Sequence, residues 1–457
     1  MQIFDALEKG LAIPRNPAGP VRPTGPLRKA PSDGQLNEIL EAVRWAPSAY
    51  NTQPWHFQIL CSPDHREEAA RALSLSCDPK SEAAWILCYL DRTRMLPVAD
   101  PLNTESYIAL GMGCLNVQAA SAALGLACQV RGPFGSTGVP WRPESFSLPE
   151  RLEPYFLFEI GNGGEQEFAS EPTPEGAPEA ALAVYRLDSF RSEIRRAQPP
   201  PTPSNGPEAL ECIHARQTDR VPLTRGDSWP DDCKRILSAA RKALEAHEAG
   251  EVELLLVEDP KKTMELTRLQ ERAWRQATGD RGRFRETCSW IRFTEREWKG
   301  RGDGEWDEHV GLSGWRKTVA RLGLKTPLAS LAMSLGADRL LVRGAETSPE
   351  ATGAFLTTVL GNSNGRFETD DLYRRKILTG VGAALQSLWL TATALGASLQ
   401  FQTSTIVQDA PRTELRRILS VPDTHDLLFL IRMGYPQRDP HYATIRRDPR
   451  EVISRTG

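Results

Sequence analysis

Three stretches of this 457-residue chain occur twice, in the same order. ILEAVR at 39–44 returns as ILSAAR at 236–241, an offset of 197. GMGCLNVQAASAALG, ending at Gly125, returns as GAALQSLWLTATALG, ending at Gly396, an offset of 271. YFLFEIG, ending at Gly161, returns as LLFLIRMG, ending at Gly434, an offset of 273. Such self-similarity means two copies of one folding unit. Each copy reads helix, strand, long buried helix, strand. The jump from 197 to 271 requires an insertion of 74 residues in the second copy, between Glu258 and the helix near Ile377. The segment about 262–345, rich in Trp, Arg and Gly, is where it is expected.

Between the copies lie GNGGEQEFASEPTPEGAPEA and RRAQPPPTPSNGPEAL, too rich in Pro, Gly and Ser to build a core. The division expected is therefore a first half at 1–161, a linker at 162–207 with one helix near 181–196, and a second half at 208–457. A chain of this length suits two units. The whole resembles two subunits of a dimer joined end to end, an α+β pair with a long buried helix in each half. Sites at a dimer interface need not keep the same residues in both copies.

The net charge is −3, so no global basic balance points to nucleic acid or an anionic membrane. Eight cysteines (61, 77, 88, 114, 128, 212, 233 and 288) form no Cys-x-x-Cys pair and no zinc spacing with histidine, so reduced thiols and no metal are expected. The seven histidines show no His-x-x-x-His spacing. The N-terminal MQIFDALEKGLAIPRNPAG has acids and no apolar stretch of signal-peptide type. Two apolar segments, 107–130 and 377–401, approach the length of a membrane span but are broken by Asn, Gln, Ser, Thr and Gly. They are read as core helices, in a cytoplasmic protein.

The first copy continues from its helix into WAPSAYNTQPWHFQIL, 45–60. Ile39, Leu40, Val43 and Ala46 fit one helix face. Pro47 ends that helix by disfavouring the helical region at Ala46. Ser48, Asn51 and Gln53 then crowd a tight connection before the strand. Their side chains donate and accept, which suits a flat heterocycle with donors and acceptors along one rim. A turn capped locally by Ser and Asn is the competing reading.

Ala-Pro-Ser-x-x-Asn-x-Gln-Pro-Trp after such a helix resembles the signature of the FMN-dependent nitroreductase family. The long helix ending in ALG, followed by LRRILSVPDTHDLLFLIRMGYP, resembles that family's C-terminal half. The tandem arrangement is similar to the Acg-like branch, in which two such halves are fused. The resemblance implies a nitroreductase-like fold, with an antiparallel or mixed sheet flanked by helices in each half and an intrachain pseudo-dimer. It also implies FMN bound between the halves, with Pro47, Ser48, Ala49, Asn51 and Gln53 on one side.

A second stretch, HARQTDRVPL at 214–223, carries Arg216, Thr218 and Arg220 in alternation. In an extended segment all three point to one side, where forked guanidiniums and a hydroxyl can bind a phosphate. A solvated charged helix end competes with that reading. Arg-x-Thr-x-Arg upstream of the first helix resembles the family's FMN-phosphate motif, with Gln217 inside it. The second copy has this motif but reads KALEAHEAG where the first has APSAYNTQPW; the first copy lacks the Arg motif. The halves are complementary, which predicts one complete FMN site per chain and one degenerate site.

Two more positions follow from the resemblance. TIRRDPREVI resembles the basic strand that closes on the FMN phosphate, giving Arg446 and Arg447, with a plain basic tail as the competing reading. In GASLQFQTSTI, Thr403 and Ser404 match the loop whose backbone N–H groups face the flavin N5. The family often has Glu-Gly there, so only a backbone contact is carried over. GRGDGE at 300–305 is not preceded by a strand and is read as a loop, not a dinucleotide fingerprint. GNSNG at 361–365 reads as a turn. Trp290, Trp298, Trp306 and Trp315 stud the insertion, as aromatic core or as a lid over the flavin.

The function expected is ping-pong hydride transfer from NADH or NADPH through FMN to a nitro-aromatic, quinone or similar small molecule. Because the flavin carries that chemistry, no catalytic acid or base is named. An FMN-dependent dehydrogenase or oxidase of a biosynthetic metabolite, and a flavin-sequestering protein, are the alternatives. Fusion of the halves permits either a monomer or a homodimer.

Overall fold

The computed structural model describes residues 5–7, 9, 27, 29–75, 78, 81–134, 149–162, 209–216, 218, 222–306, 317–318, 321, 353–361, 363, 365–437 and 444–456. The linker helix expected near 181–196, and with it Gln217, Arg220 and Trp315, lie outside the described residues.

After a helical segment that includes residues 5–7 and 9, the first half has α1 (Asp33–Arg44), started by a reciprocal capping box between Ser32 and Gln35. Then come β1 (Trp55–Leu60), α2 (Pro63–Ala72), β2 (Ala84–Asp91), α3 (Thr104–Ala123), β3 (Ala127–Arg131) and β4 (Leu152–Gly161). The second half begins with α4 (Ala209–Ala215), β5 (Leu223–Thr224), α5 (Trp229–Ala246) and β6 (Val252–Val257). The extra segment follows as α6 (Pro260–Gly279), α7 (Arg281–Ser289), β7 (Ile291–Arg292), α8 (Glu295–Arg301) and β8 (Glu305–Trp306). The chain ends with β9 (Ala354–Leu360), α9 (Asp371–Ala394), β10 (Ser398–Phe401), α10 (Asp409–Leu419), β11 (Asp426–Pro436) and β12 (Ile453–Arg455).

The repeat in sequence is a repeat in topology. One sheet runs β12-β1-β2-β4-β3, the other β10-β11-β9-β6. Without β12 the two orders correspond strand for strand, with β1, β2, β4 and β3 matching β6, β9, β11 and β10. The tandem α+β arrangement expected from the repeat is therefore the observed one. Each copy has one strand more than expected before its long helix, β2 or β9. Both are buried along their whole length, so they read as unbroken apolar runs rather than as alternation.

Leu60 to Ala84 spans 24 positions and Val257 to Ala354 spans 97, a difference of 73 against the 74 read from the offsets. α6 opens on Pro260 behind the Asp259 cap, as α2 opens on Pro63 behind Ser62.

The halves share one core. It joins Ile39, Leu40 and Val43 of α1, Leu110 and Leu115 of α3, Ile236 and Ala240 of α5, and Leu385 and Leu388 of α9. α9 is long and apolar enough to cross a membrane by length and composition, but its apolar stretch is wholly buried within the protein. At the α3–α9 crossing, a Cβ on Gly111 would stand 2.2 Å from Thr379 O, and one on Gly382 would stand 2.2 Å from Ile108 O. Both pairs are related by the 271 offset, so the crossing has the local two-fold character of an isologous dimer interface. One exchange breaks that independence of halves. β12, from the end of the second half, adds to the first-half sheet in parallel with β1, placing Ile453 beside Phe57.

Candidate functional site

α1 stops at Arg44, leaving its last carbonyls without intrahelical donors. Arg446, on the segment leading into β12, supplies donors to the last of them and to the two carbonyls that follow. Its Nε donates to Arg44 O at 3.0 Å, and its Nη2 donates to Trp45 O at 3.2 Å and Ala46 O at 3.3 Å. Its Nη1 donates to Asn51 Oδ1 at 3.1 Å. The guanidinium lies 4.8 Å over the Trp45 ring. Next to it, Arg447 N–H donates to Gln53 Oε1 at 2.9 Å, and Arg44 Nη1 donates to Arg447 O at 2.8 Å.

The connection after Pro47 is strained. Tyr50, Asn51 and Gln53 have φ of 47°, 52° and 51°, in the left-handed region that non-glycine residues rarely adopt. Ser48 Oγ accepts from Gln53 N–H at 2.9 Å, and Pro47, Ser48 and Ala49 are half-buried. Asn51 Nδ2 donates to Ile445 O at 3.1 Å and Gly304 O at 3.4 Å. Gln53 Nε2 donates to Gly302 O at 2.8 Å. The Asn51 and Gln53 side chains thus have protein partners at both their oxygens and nitrogens. These bonds fasten the connection to the extra segment and to the C-terminal tail.

Arg216 follows α4 directly and is buried. Its Nη2 donates to Trp45 O at 3.2 Å, the carbonyl that Arg446 also uses, and its guanidinium stacks 4.4 Å over Trp389. Its Nε and the Nη1 of Arg447 are buried without a partner. Among the described residues no carboxylate pairs with Arg216 or Arg446. Glu41 bonds Arg44 and the Trp45 indole instead. Burial pushes the Arg216 guanidinium down to about 9 and Arg447 to about 10, the latter also under the charge of Arg94. Arg446 is pushed down further by burial, then by Arg216 and Arg44. Guanidiniums stay charged in proteins, so the shifts of Arg216 and Arg446 register cations gathered without a paired carboxylate, whereas Arg447 has Glu451 at 3.4 Å. A phosphate fits that deficit in charge and in donor geometry.

The structure therefore brings Pro47, Ser48, Ala49, Asn51, Gln53, Arg216, Arg446 and Arg447 together at the end of α1. Thr218 is half-buried and forms a parallel bridge with Leu399 of β10. At the far end of β10, Thr403 and Ser404 form a single helical turn and are half-buried. The Thr403 side chain bonds Glu105, in the first turn of α3. Burial, and then the charge of Asp100, pushes the Glu105 carboxyl up to about 8.

The end of α5, which corresponds to the end of α1, is tightly packed among the described residues. The α5 turn packs so tightly that a Cβ on Gly380 would stand 2.5 Å from Ala249 Cβ. Arg375, near the start of α9, is neutralised by Glu153 and Asp371, each at 2.6 Å, and lies 5.1 Å over Tyr107. It donates to Phe134 O, on the turn after β3, at 3.0 Å. That arrangement leaves no charge deficit. Sequence reasoning missed Arg44, Arg94, Arg292 and Asp303 as supports of the site; of these, only Arg44 lies beside the motif in sequence.

Residues 27–88 and 339–435 match the family model described as Nitroreductase family. The first segment contains the Pro47–Gln53 connection and the second contains α9, β10, Thr403 and Ser404. An oxygen-insensitive NADPH nitroreductase of Helicobacter pylori strain J99 is 33% identical over 81 residues, 17% of this chain. The match spans 39% of that relative's length. The structure of a candidate nitroreductase from Anabaena variabilis aligns over 90% of both chains at 10% identity, with a TM-score of 0.45. A candidate nitroreductase from Desulfovibrio desulfuricans, solved with FMN, aligns over 38% of this chain and 98% of its own at 22% identity, with a TM-score of 0.29. The family model thus matches one segment in each half of the chain.

Proposed function

We propose that this protein is an FMN-dependent oxidoreductase that takes electrons from NADH or NADPH and reduces a nitro-aromatic, quinone or similar small molecule. The observation that carries the reading is the buried, uncompensated cation pair Arg216 and Arg446, on one carbonyl, beside the family's Pro-Ser segment. Bound FMN would supply hydride chemistry at its N5. Arg216, with Gln217, Thr218 and Arg220 after it, would hold the phosphate, and Arg447 would contribute its unpartnered Nη1. Pro47, Ser48 and Ala49 would border the ring. Thr403 and Ser404 would present backbone N–H groups to it. The Pro-Ser segment present only in the first copy and the Arg motif present only in the second support a single FMN per chain. The protein would work as a monomer or a homodimer in the cytoplasm.

The test is quantification of flavin released from the purified protein, then anaerobic titration with NADPH and NADH. The expected result is about one FMN per chain and bleaching of the flavin. Retained flavin that neither nicotinamide bleaches would overturn the reductase reading. It would favour a dehydrogenase or oxidase, or flavin sequestration, which the docking of the extra segment on the binding connection also supports. A stoichiometry near two would refute the single site.

A further inference from the structure

We propose that the Gly302–Asp303–Gly304 turn is the positioning element of the cofactor site: it holds the 48–53 connection in its binding shape. The proposal rests on the FMN reading and extends it to residues 250 positions from the signature.

The connection cannot hold its own conformation. Three of its non-glycine residues sit at positive φ, and such strain persists only where the surroundings over-determine it. The turn supplies much of that constraint. Gly302 O accepts from Gln53 Nε2 at 2.8 Å, Gly304 O accepts from Asn51 Nδ2 at 3.4 Å, and Gly304 N–H donates to Asn51 O at 3.4 Å. These are bonds to two of the three polar residues that define the signature.

The turn is itself fixed by a buried carboxylate. Asp303 Oδ1 accepts from Arg292 Nε at 3.1 Å and Nη2 at 2.7 Å. Its Oδ2 accepts from Arg94 Nη1 at 3.0 Å, and the same nitrogen donates to Thr52 O at 2.9 Å. One side chain therefore ties the extra segment, through Arg292, to the first half, through Arg94, and to the connection itself. The Trp290 ring faces both guanidiniums, at 5.9 Å from Arg94 and 5.7 Å from Arg292.

Only glycine fits on either side of Asp303. Gly302 has φ 61°, and a Cβ there would stand 2.6 Å from Arg446 O. Gly304 has φ 76°, and a Cβ there would stand 2.4 Å from Trp290 O. The backbone of the turn thus also touches the segment that carries Arg446 and Arg447. A displaced turn moves the connection and the cationic tail together. Asp303 is a positioning residue, not a ligand of the cofactor.

The test compares Asp303→Asn, Gly302→Ala and Arg94→Gln with the parent protein. FMN affinity is read by fluorescence quenching, and hydrogen exchange is read at the 48–53 amides without FMN. Asp303→Asn and Gly302→Ala should weaken FMN binding about 10- to 100-fold, the usual effect of removing an outer-shell support, and should speed exchange at 48–53. Arg216→Met should lose FMN without changing that exchange, which separates loss of a ligand contact from loss of positioning. Folded Asp303→Asn and Gly302→Ala proteins with parental affinity and parental exchange overturn the proposal. Should Asp303→Asn fail to fold, Gly302→Ala and Arg94→Gln decide by the same two readouts. Should the parent bind no FMN, the FMN reading falls, and exchange alone decides: faster exchange in the variants upholds the turn's role, and unchanged exchange overturns it.

Discussion

Arg446 Nη1 donates to Asn51 Oδ1 at 3.1 Å across 395 positions of sequence. The segment leading into β12 thereby closes the end of α1. The same guanidinium serves the carbonyls of Arg44, Trp45 and Ala46, so its charge is used as a cap.

Arg446→Met should therefore destabilise the ligand-free protein. Each buried acceptor left without a donor costs about 1–3 kcal/mol, and several are exposed to that loss at once, so a deficit of about 3 kcal/mol or more is expected. Urea unfolding followed by circular dichroism reads it. Arg446→Lys keeps the charge but not the fork, and should recover less than half. A lysine variant as stable as the parent would show that geometry at this residue is unimportant.

Arg216 behaves oppositely. It is buried, stacked on Trp389, and without a carboxylate among the described residues. Replacing a poorly compensated buried cation with an apolar side chain is often neutral or stabilising. Arg216→Met should leave ligand-free stability unchanged or raised, while FMN affinity falls about 10- to 100-fold, the 1.5–3 kcal/mol of a charge-assisted contact. A variant that loses stability and keeps full FMN affinity contradicts the phosphate assignment.

Much of this fold could be read from the chain because a duplicated unit repeats its apolar pattern at a fixed offset. The helices around Ile39 and Ile236, and the long helices, declared themselves that way. β2 and β9 did not, since buried strands lose the alternation that marks a half-exposed one. The cationic residues of the site were legible as charges in short motifs. The partners of Asn51 and Gln53 were not. They lie 249 to 395 positions away, on Gly302, Gly304 and the 445–447 segment, and no local pattern encodes such a pairing. GRGDGE announced its glycines but not the backbone each of them must approach.

The pseudo-two-fold crossing of α3 and α9 makes its own prediction. Gly111→Ala and Gly382→Ala each place a methyl 2.2 Å from a backbone carbonyl of the other helix. Overpacking of this kind costs about 1–3 kcal/mol. Because a Cβ on Gly382 would also stand 3.0 Å from Gly111 Cα, the two sites are one contact. Once either alanine has pushed the helices apart, the second should cost less, so a double-mutant cycle by thermal unfolding should be sub-additive. Strict additivity would mean that the helices are not in contact at both glycines.

Glu105 gives the protein a pH dependence of defined sign. Its N–H donates to Asp100 Oδ2 at 2.7 Å, and Glu286 accepts from the Val98 and Ala99 N–H groups nearby. Burial first, and then the Asp100 charge, pushes the Glu105 carboxyl from 4.5 up to about 8, while the Thr403 hydroxyl and Glu286 act in opposite directions. The folded protein thus keeps a proton that the unfolded chain releases near 4.5. The stability this group contributes is complete below that pH, declines as pH rises, and is lost once pH passes about 8. Glu105→Gln removes the titration while keeping a side chain able to bond Thr403. The parent should lose stability relative to Glu105→Gln between pH 5.5 and 8.5, read as diverging urea midpoints. Parallel midpoints across that range would mean that Glu105 is ionised throughout, and that Thr403 faces a carboxylate rather than an acid.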